Sequence, residues 1–211
     1  LFHTVRYLTL RQVIFRLYYR FARVSPREHR NVLGRTWDCD WSSPAWAGVS
    51  TDDGIEFRFL GVRGRVHNAG DWHAGKHSKL WLYNLHYLDD LNARGIDTTP
   101  DLAETLIANW TQANPPVVGD GWEPYPLSLR IVNLVKWHAR SKAQAGPLYD
   151  SLAVQADALA QQVEYHIMGN HLFANGKALV FAGAFLSGAK ADAWLAKGLQ
   201  ILDEEIGEQF Q

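Results

Sequence analysis

Apolar side chains recur at close to helical spacing over residues 2–23, at Phe2, Val5, Leu8 or Thr9, Val13, Leu17 and Phe21. That period predicts a first helix. Over 25–50 the pattern dissolves into Pro, Gly and Trp around a WDCDW element, which reads as an irregular connection. Residues 55–66, IEFRFLGVRGRV, alternate apolar and polar around Gly61 and Gly64, as a pair of short strands would. After Trp72 the helical period returns and predicts helices over 78–94, 100–112, 127–143, 149–167, 171–186 and 191–207. Thr99 can cap the second of these, with Pro100 at its first position and Asp101 favourably placed for the dipole. Gly95 and Gly188 fall where left-handed caps usually end helices. Helices joined by short turns without intervening strands imply antiparallel hairpins, so the predicted class is mainly α. A row of such hairpins can bend into part of a toroid.

Composition changes this picture little. The 211 residues suffice for one sizeable core, and 47% hydrophobic with 20% charged residues is ordinary for a globular chain. Nine Trp, eight Tyr and nine Phe form a large aromatic inventory, equally suited to stacking on sugars and to filling a core. A net charge of -1 argues against a nucleic-acid partner. The charge is uneven, however, with eight Arg against the single acid Glu28 between positions 1 and 35. This is either a solvated basic helix face or a surface for an acidic polymer or an anionic membrane. The single Cys39 allows no internal disulfide. No apolar run is long enough to span a bilayer, so no integral membrane segment is expected. Arg6 and Arg11 interrupt the apolar opening, which leaves no visible signal peptide, and the missing initiator Met suggests a trimmed chain.

Three segments hold more polar and aromatic groups than packing requires. In SKLWLYNLHYLDDL, Leu80, Asn84 and Tyr87 share one stripe, and Tyr83, His86 and Asp90 another. In GDGWEPYPLSLRIVNLVKW, the loop glycines Gly119 and Gly121 and the stiff Pro124 and Pro126 present Trp122 and Tyr125 at a helix start. Arg130 in that helix's first turn opposes the dipole, so it needs a carboxylate such as Glu123 or Asp120, or an anionic ligand. In EYHIMGNHLFANGKALVFAGAFL, Gly169 breaks one helix, and Asn170 and His171 open the next. Unpaired N–H groups there suit a carboxylate. Asn170 alone can serve as a helix cap, but a cap needs neither His171 beside it nor Asn175 one turn later.

Other patterns carry less. His73 and His77 have a metal-pair spacing but flank Gly75 and lack a third ligand, so no metal is expected, nor any cofactor. No glycine loop for phosphates and no nucleophile-elbow serine is present. Nothing in the spacing pairs Asp120, Glu123 and Glu164 as glycosidase carboxylates.

The ordered set KLWLYNLHYLDDL, WEPYPLSLRIVNLVKW and MGNHLFANGKALVFAGAFL, covering about Trp72 to Leu186, resembles the N-terminal helical domain of the heparinase II/III family of polysaccharide lyases. RQVIFRLYYRF is similar to that family's start. The resemblance implies an incomplete α/α toroid over 72–211, with 1–71 packed on it, followed in complete members by a β-sandwich. It implies β-elimination at a uronic acid in an acidic polysaccharide of heparan, alginate or exopolysaccharide type. Asn170 would then neutralise the carboxylate and His171 act as a second polar or acid–base group. Trp122, Tyr125 and Arg130 would lie along the cleft, with Asn84, His86 and Asn175 as further substrate contacts. The family's catalytic Tyr would follow where this chain stops, and the sandwich would add a His, so this segment alone is expected to be inactive. The expected compartment is the periplasm or cell envelope. The other open reading is a non-catalytic helical module that binds an acidic polysaccharide. Oligomeric state is not legible.

Overall fold

The computed structural model describes residues 10–36, 47–141 and 146–209. The WDCDW element, Cys39 and the first residues of the predicted opening helix lie outside the described residues. Helix α1 (Leu10–Phe21) is followed by an irregular strap and then by the hairpin β1 (Glu56–Phe59) and β2 (Val62–Arg65). Among the described residues six further α-helices follow: α2 (Lys79–Tyr87), α3 (Pro100–Ala113), α4 (Pro124–Ser141), α5 (Gly146–Gln161), α6 (Gly169–Phe185) and α7 (Ala189–Gln209). The fold is mainly α, and the strand pair is antiparallel with Glu56 opposite Arg65. The succession α4 to α7, each helix packed on the next, is consistent with a segment of an α/α toroid.

Several boundaries differ from the hydrophobic pattern. The helix predicted over 78–94 ends at Tyr87, because Leu88 takes a left-handed conformation with φ 54°. Short 3₁₀ turns follow, and Asp90 turns back to accept hydrogen bonds from the Ser50 backbone and hydroxyl. Helix α5 stops at Gln161 instead of 167, and residues 162–168 form a loop. Periodicity misses this stop because Val163, though not helical, is still fully buried. Thr99 precedes α3 without a side-chain cap; its hydroxyl instead donates to the Ile96 carbonyl.

The core forms one cluster from Phe57 to Ile201. Trp72, Trp81, Trp110, Trp122, Trp137 and Trp194 are all buried in it. Among the described residues the tryptophans therefore fill the interior, and the aromatic content of the sequence is chiefly a packing signal. Strap residues 22–36 lie across α5 and α6. The amides of Arg27 and Val32 donate to the Asp157 and Asp150 carboxylates, and the amide of Arg35 to the Phe185 carbonyl. Helix α1 docks through Phe15, whose ring lies 4.6 Å from that of Tyr165, and through the Arg11–Glu204 ion pair at 2.8 Å. Its outward face carries Arg16 and Arg20 beside exposed Leu10, Ile14, Leu17 and Phe21, so it is apolar as well as basic.

Candidate functional site

The loop 162–168 delivers the chain to α6 through two consecutive positive-φ residues, Met168 at 65° and Gly169 at 59°. Gly169 adopts this conformation at little cost, whereas Met168 is strained. The amides of Ile167 and Met168 both bond the Glu164 carbonyl and hold the turn. The capping position belongs to Met168, which has no side-chain cap bond, so Asn170 is not the N-cap. Asn170 instead lies exposed in the first turn of α6, beside a half-buried His171. The first turn of a helix offers N–H groups without intrahelical partners and the positive end of the dipole.

Beneath this turn runs a directed hydrogen-bond chain. His171 Nδ1 lies 3.1 Å from Glu164 Oε1, and Asn175 Nδ2 donates to Glu164 Oε2 at 3.2 Å. Asn175 Oδ1 accepts from the Glu164 amide at 2.7 Å, which fixes the orientation of the Asn175 side chain. Asn175 Nδ2 also donates to Ser128 Oγ, and the Ser128 hydroxyl donates to the Pro124 carbonyl. Glu164, Ser128 and Asn175 are buried, while His171 reaches the surface. The Tyr125 ring packs against the His171 ring at 4.4 Å.

From His171 a row of rings continues through Tyr125 to Tyr87 at 6.2 Å and on to Tyr83 at 6.5 Å. Burial pushes the Tyr87 phenol up to about 12 and holds the Tyr83 phenol far above its ordinary value. Tyr83 donates to Glu123, whose other oxygen accepts from Lys79 at 2.6 Å. Asn84 bonds its own helix, donating to the Leu80 carbonyl at 2.8 Å.

The other predicted contacts lie inside. Arg130 is fully buried, with Nη1 donating to the carbonyls of Gly121 at 2.8 Å and His86 at 3.1 Å, and Nε to Gln155 at 2.9 Å. Its guanidinium sits 3.7 Å over the Trp110 ring. The expected carboxylate partner, Glu123 or Asp120, is thus corrected: oxygen dipoles hold Nε and Nη1 of Arg130 and a π-face covers its guanidinium, while the buried Nη2 has no hydrogen-bond partner among the described residues. Glu123 serves Lys79 and Tyr83 instead. His86 accepts from Trp110 Nε1 and bonds the Trp72 carbonyl; burial and the neighbouring Arg130 press its pKa down to about 3, so it is neutral. Gly121 passes so close that a Cβ there would meet His86 Nδ1 at 2.4 Å. Trp122, expected at the surface, is buried and donates to the Asn114 carbonyl. Of the predicted residues, the structure brings Asn170, His171, Tyr125 and Asn175 together. It places Trp122, Arg130 and His86 in the core beneath and leaves Asn84 on α2.

Residues 146–211 match the family model described as heparinase II/III N-terminus. Over that stretch, about a third of the chain, the sequence is similar to a heparinase II/III N-terminal domain. No curated protein and no solved structure gave a significant match. The match spans α5, α6 and α7 and includes the GNH turn, which sets the site in the context of a polysaccharide lyase family.

Within the matched segment, sequence reasoning missed Glu164 as the partner of His171. The signal was EYH, seven residues before that histidine, but a loop had to fold the two together. Tyr83 was noted only as part of a stripe, and its bond to Glu123 crosses forty residues of sequence. His77 stacks on Trp81 at 4.0 Å instead of pairing with His73. Among the described residues no group of three His, Cys, Asp or Glu could hold a metal, and no helix is long and apolar enough to cross a membrane.

Proposed function

We propose that the GNH turn forms one wall of a β-eliminating site for a uronate-containing acidic polysaccharide. The observation that carries this reading is the pairing of an exposed amide, Asn170, with a surface imidazole that is backed by a buried carboxylate. Abstracting the proton beside a uronate carboxylate is hard because the carbanion forms next to a negative charge. Asn170 and the free N–H groups of the α6 first turn supply donors that delocalise this charge into an enolate-like anion. His171, with Nδ1 turned to Glu164, presents Nε2 to accept the proton. The C–H electron pair becomes the new double bond, and the bond to the glycosidic oxygen breaks with its electrons. That oxygen takes up a proton from an acid. Tyr125, packed against His171, offers a ring face to the sugar.

In this reading Trp122, Arg130 and His86 hold the α2–α4 floor rigid and make no substrate contact, Asn175 belongs to the support of His171, and Asn84 lies at the margin. The reading places the whole protein in the periplasm or cell envelope, where acidic polymers are met.

The test is formation of the unsaturated uronate, followed by ultraviolet absorbance, with the whole protein on heparan sulfate, alginate and a bacterial uronate-containing exopolysaccharide. Asn170→Ala is expected to cut turnover by about 10²–10³-fold, while the melting temperature stays close to wild type because the side chain is exposed. Binding to these polymers without any product would leave the non-catalytic binding module as the function.

A further inference from the structure

The geometry points to Glu164 as the positioning residue that fixes the tautomer of His171, through a polarity set by Asn175 and Ser128. The proposal rests on the lyase reading for its chemistry but not for its structure. Each partner in the chain has one allowed direction. The Glu164 amide must donate, so Asn175 presents its oxygen there and its NH₂ elsewhere. That NH₂ reaches Glu164 Oε2 at 3.2 Å and Ser128 Oγ at 3.0 Å. Ser128 is free to accept because its own proton goes to the Pro124 carbonyl at 2.8 Å. The remaining oxygen, Glu164 Oε1, accepts from His171 Nδ1 at 3.1 Å. A carboxylate has no proton to give, so the ring proton of neutral His171 resides on Nδ1 and the Nε2 lone pair faces outward.

The carboxylate does more than an uncharged acceptor could. It stabilises the imidazolium formed when Nε2 takes a proton, without itself becoming protonated. Glu164 and Asn175 are almost wholly buried and the Tyr125 ring lies 4.4 Å from the imidazole, so the ring has little freedom to turn. Asn175, predicted from sequence as a substrate contact, has both ends of its amide committed inside this chain.

Glu164→Gln separates this proposal from simple packing. Asn175 still needs an acceptor, so the new amide oxygen stays on its side and the NH₂ turns toward His171 Nδ1. The ring then has to accept at Nδ1 and carry its proton on Nε2. Nitrogen-15 spectra of labelled histidine in the whole protein, in alkaline buffer where the ring is neutral, are expected to show Nδ1–H in the wild type and Nε2–H in Glu164→Gln. On whichever of heparan sulfate, alginate or exopolysaccharide the wild type cleaves, kcat is expected to fall by about 10²-fold or more with KM little changed.

A wild-type ring protonated on Nε2, or a Glu164→Gln ring that keeps Nδ1–H, overturns the proposal. Should Glu164→Gln not fold, the wild-type spectrum alone decides. A wild type that shows Nδ1–H but cleaves none of the three polymers removes the lyase reading and leaves the tautomer assignment standing. Turnover with the wrong tautomer does the reverse.

Discussion

Helix α4 contributes to two polar constellations that look alike in sequence and differ in kind. On its inner side Arg130 is a fully buried cation with no carboxylate, held by two carbonyls, a glutamine and a tryptophan face. On its outer side Ser128 and Tyr125 support a half-exposed imidazole that does have a carboxylate. A group that must change protonation needs solvent or substrate on one side and an ion-stabilising partner on the other. A group that only ties segments together is best buried among fixed dipoles. On the proposed lyase reading the contrast separates architecture from chemistry within a single helix, and each side makes its own prediction.

The largest effect is expected inside. Arg130→Met leaves the His86 and Gly121 carbonyls and the Gln155 amide oxygen without a donor. Together with imperfect repacking this should cost about 3–5 kcal/mol, read as a lower denaturation midpoint. A loss under about 1 kcal/mol would show that these bonds are dispensable and erase the distinction. The next effect is pH dependence from His86. Its folded pKa of about 3 lies below the ordinary 6.5, so the unfolded chain binds the extra proton between these values. Stability from this group is whole above about 6.5 and declines as pH falls toward 3, by at most about 1.4 kcal/mol per pH unit. His86→Gln should flatten that slope in denaturation curves at pH 7 and pH 5. Ser128→Ala removes two hydrogen bonds from the outer chain, the one accepted from Asn175 and the one donated to the Pro124 carbonyl, and should cost about 1–2 kcal/mol, with activity reduced through a looser His171. The smallest effect on stability belongs to Asn170→Ala, whose loss should appear in turnover alone. If the inner substitutions spared the fold and the outer ones destroyed it, the comparison would be reversed.

The residues of the outer site were legible only in part. Gly169, Asn170 and His171 stood out because a helix break followed by polar groups is visible in one dimension, and the strained turn at Met168 and Gly169 bears out the break. Glu164 did not stand out, because the periodic pattern carried a helix through to 167, which would have scattered Glu164 and His171 around an axis. Arg130 was noticed for its charge against the dipole but assigned the wrong kind of partner. Its true acceptors come from the backbone of α2 and of the Gly121 turn, which no side-chain pattern reveals.

Local and periodic properties were therefore set by the sequence alone: a mainly helical chain, a hairpin near 55–66, and a break before Asn170, since spacing of apolar groups and backbone permissiveness act between near neighbours. Which aromatics were buried, which cation lacked a carboxylate, and which glutamate met His171 were decided only by tertiary packing. Burial and hydrogen-bond direction depend on atoms that the chain brings together from far apart.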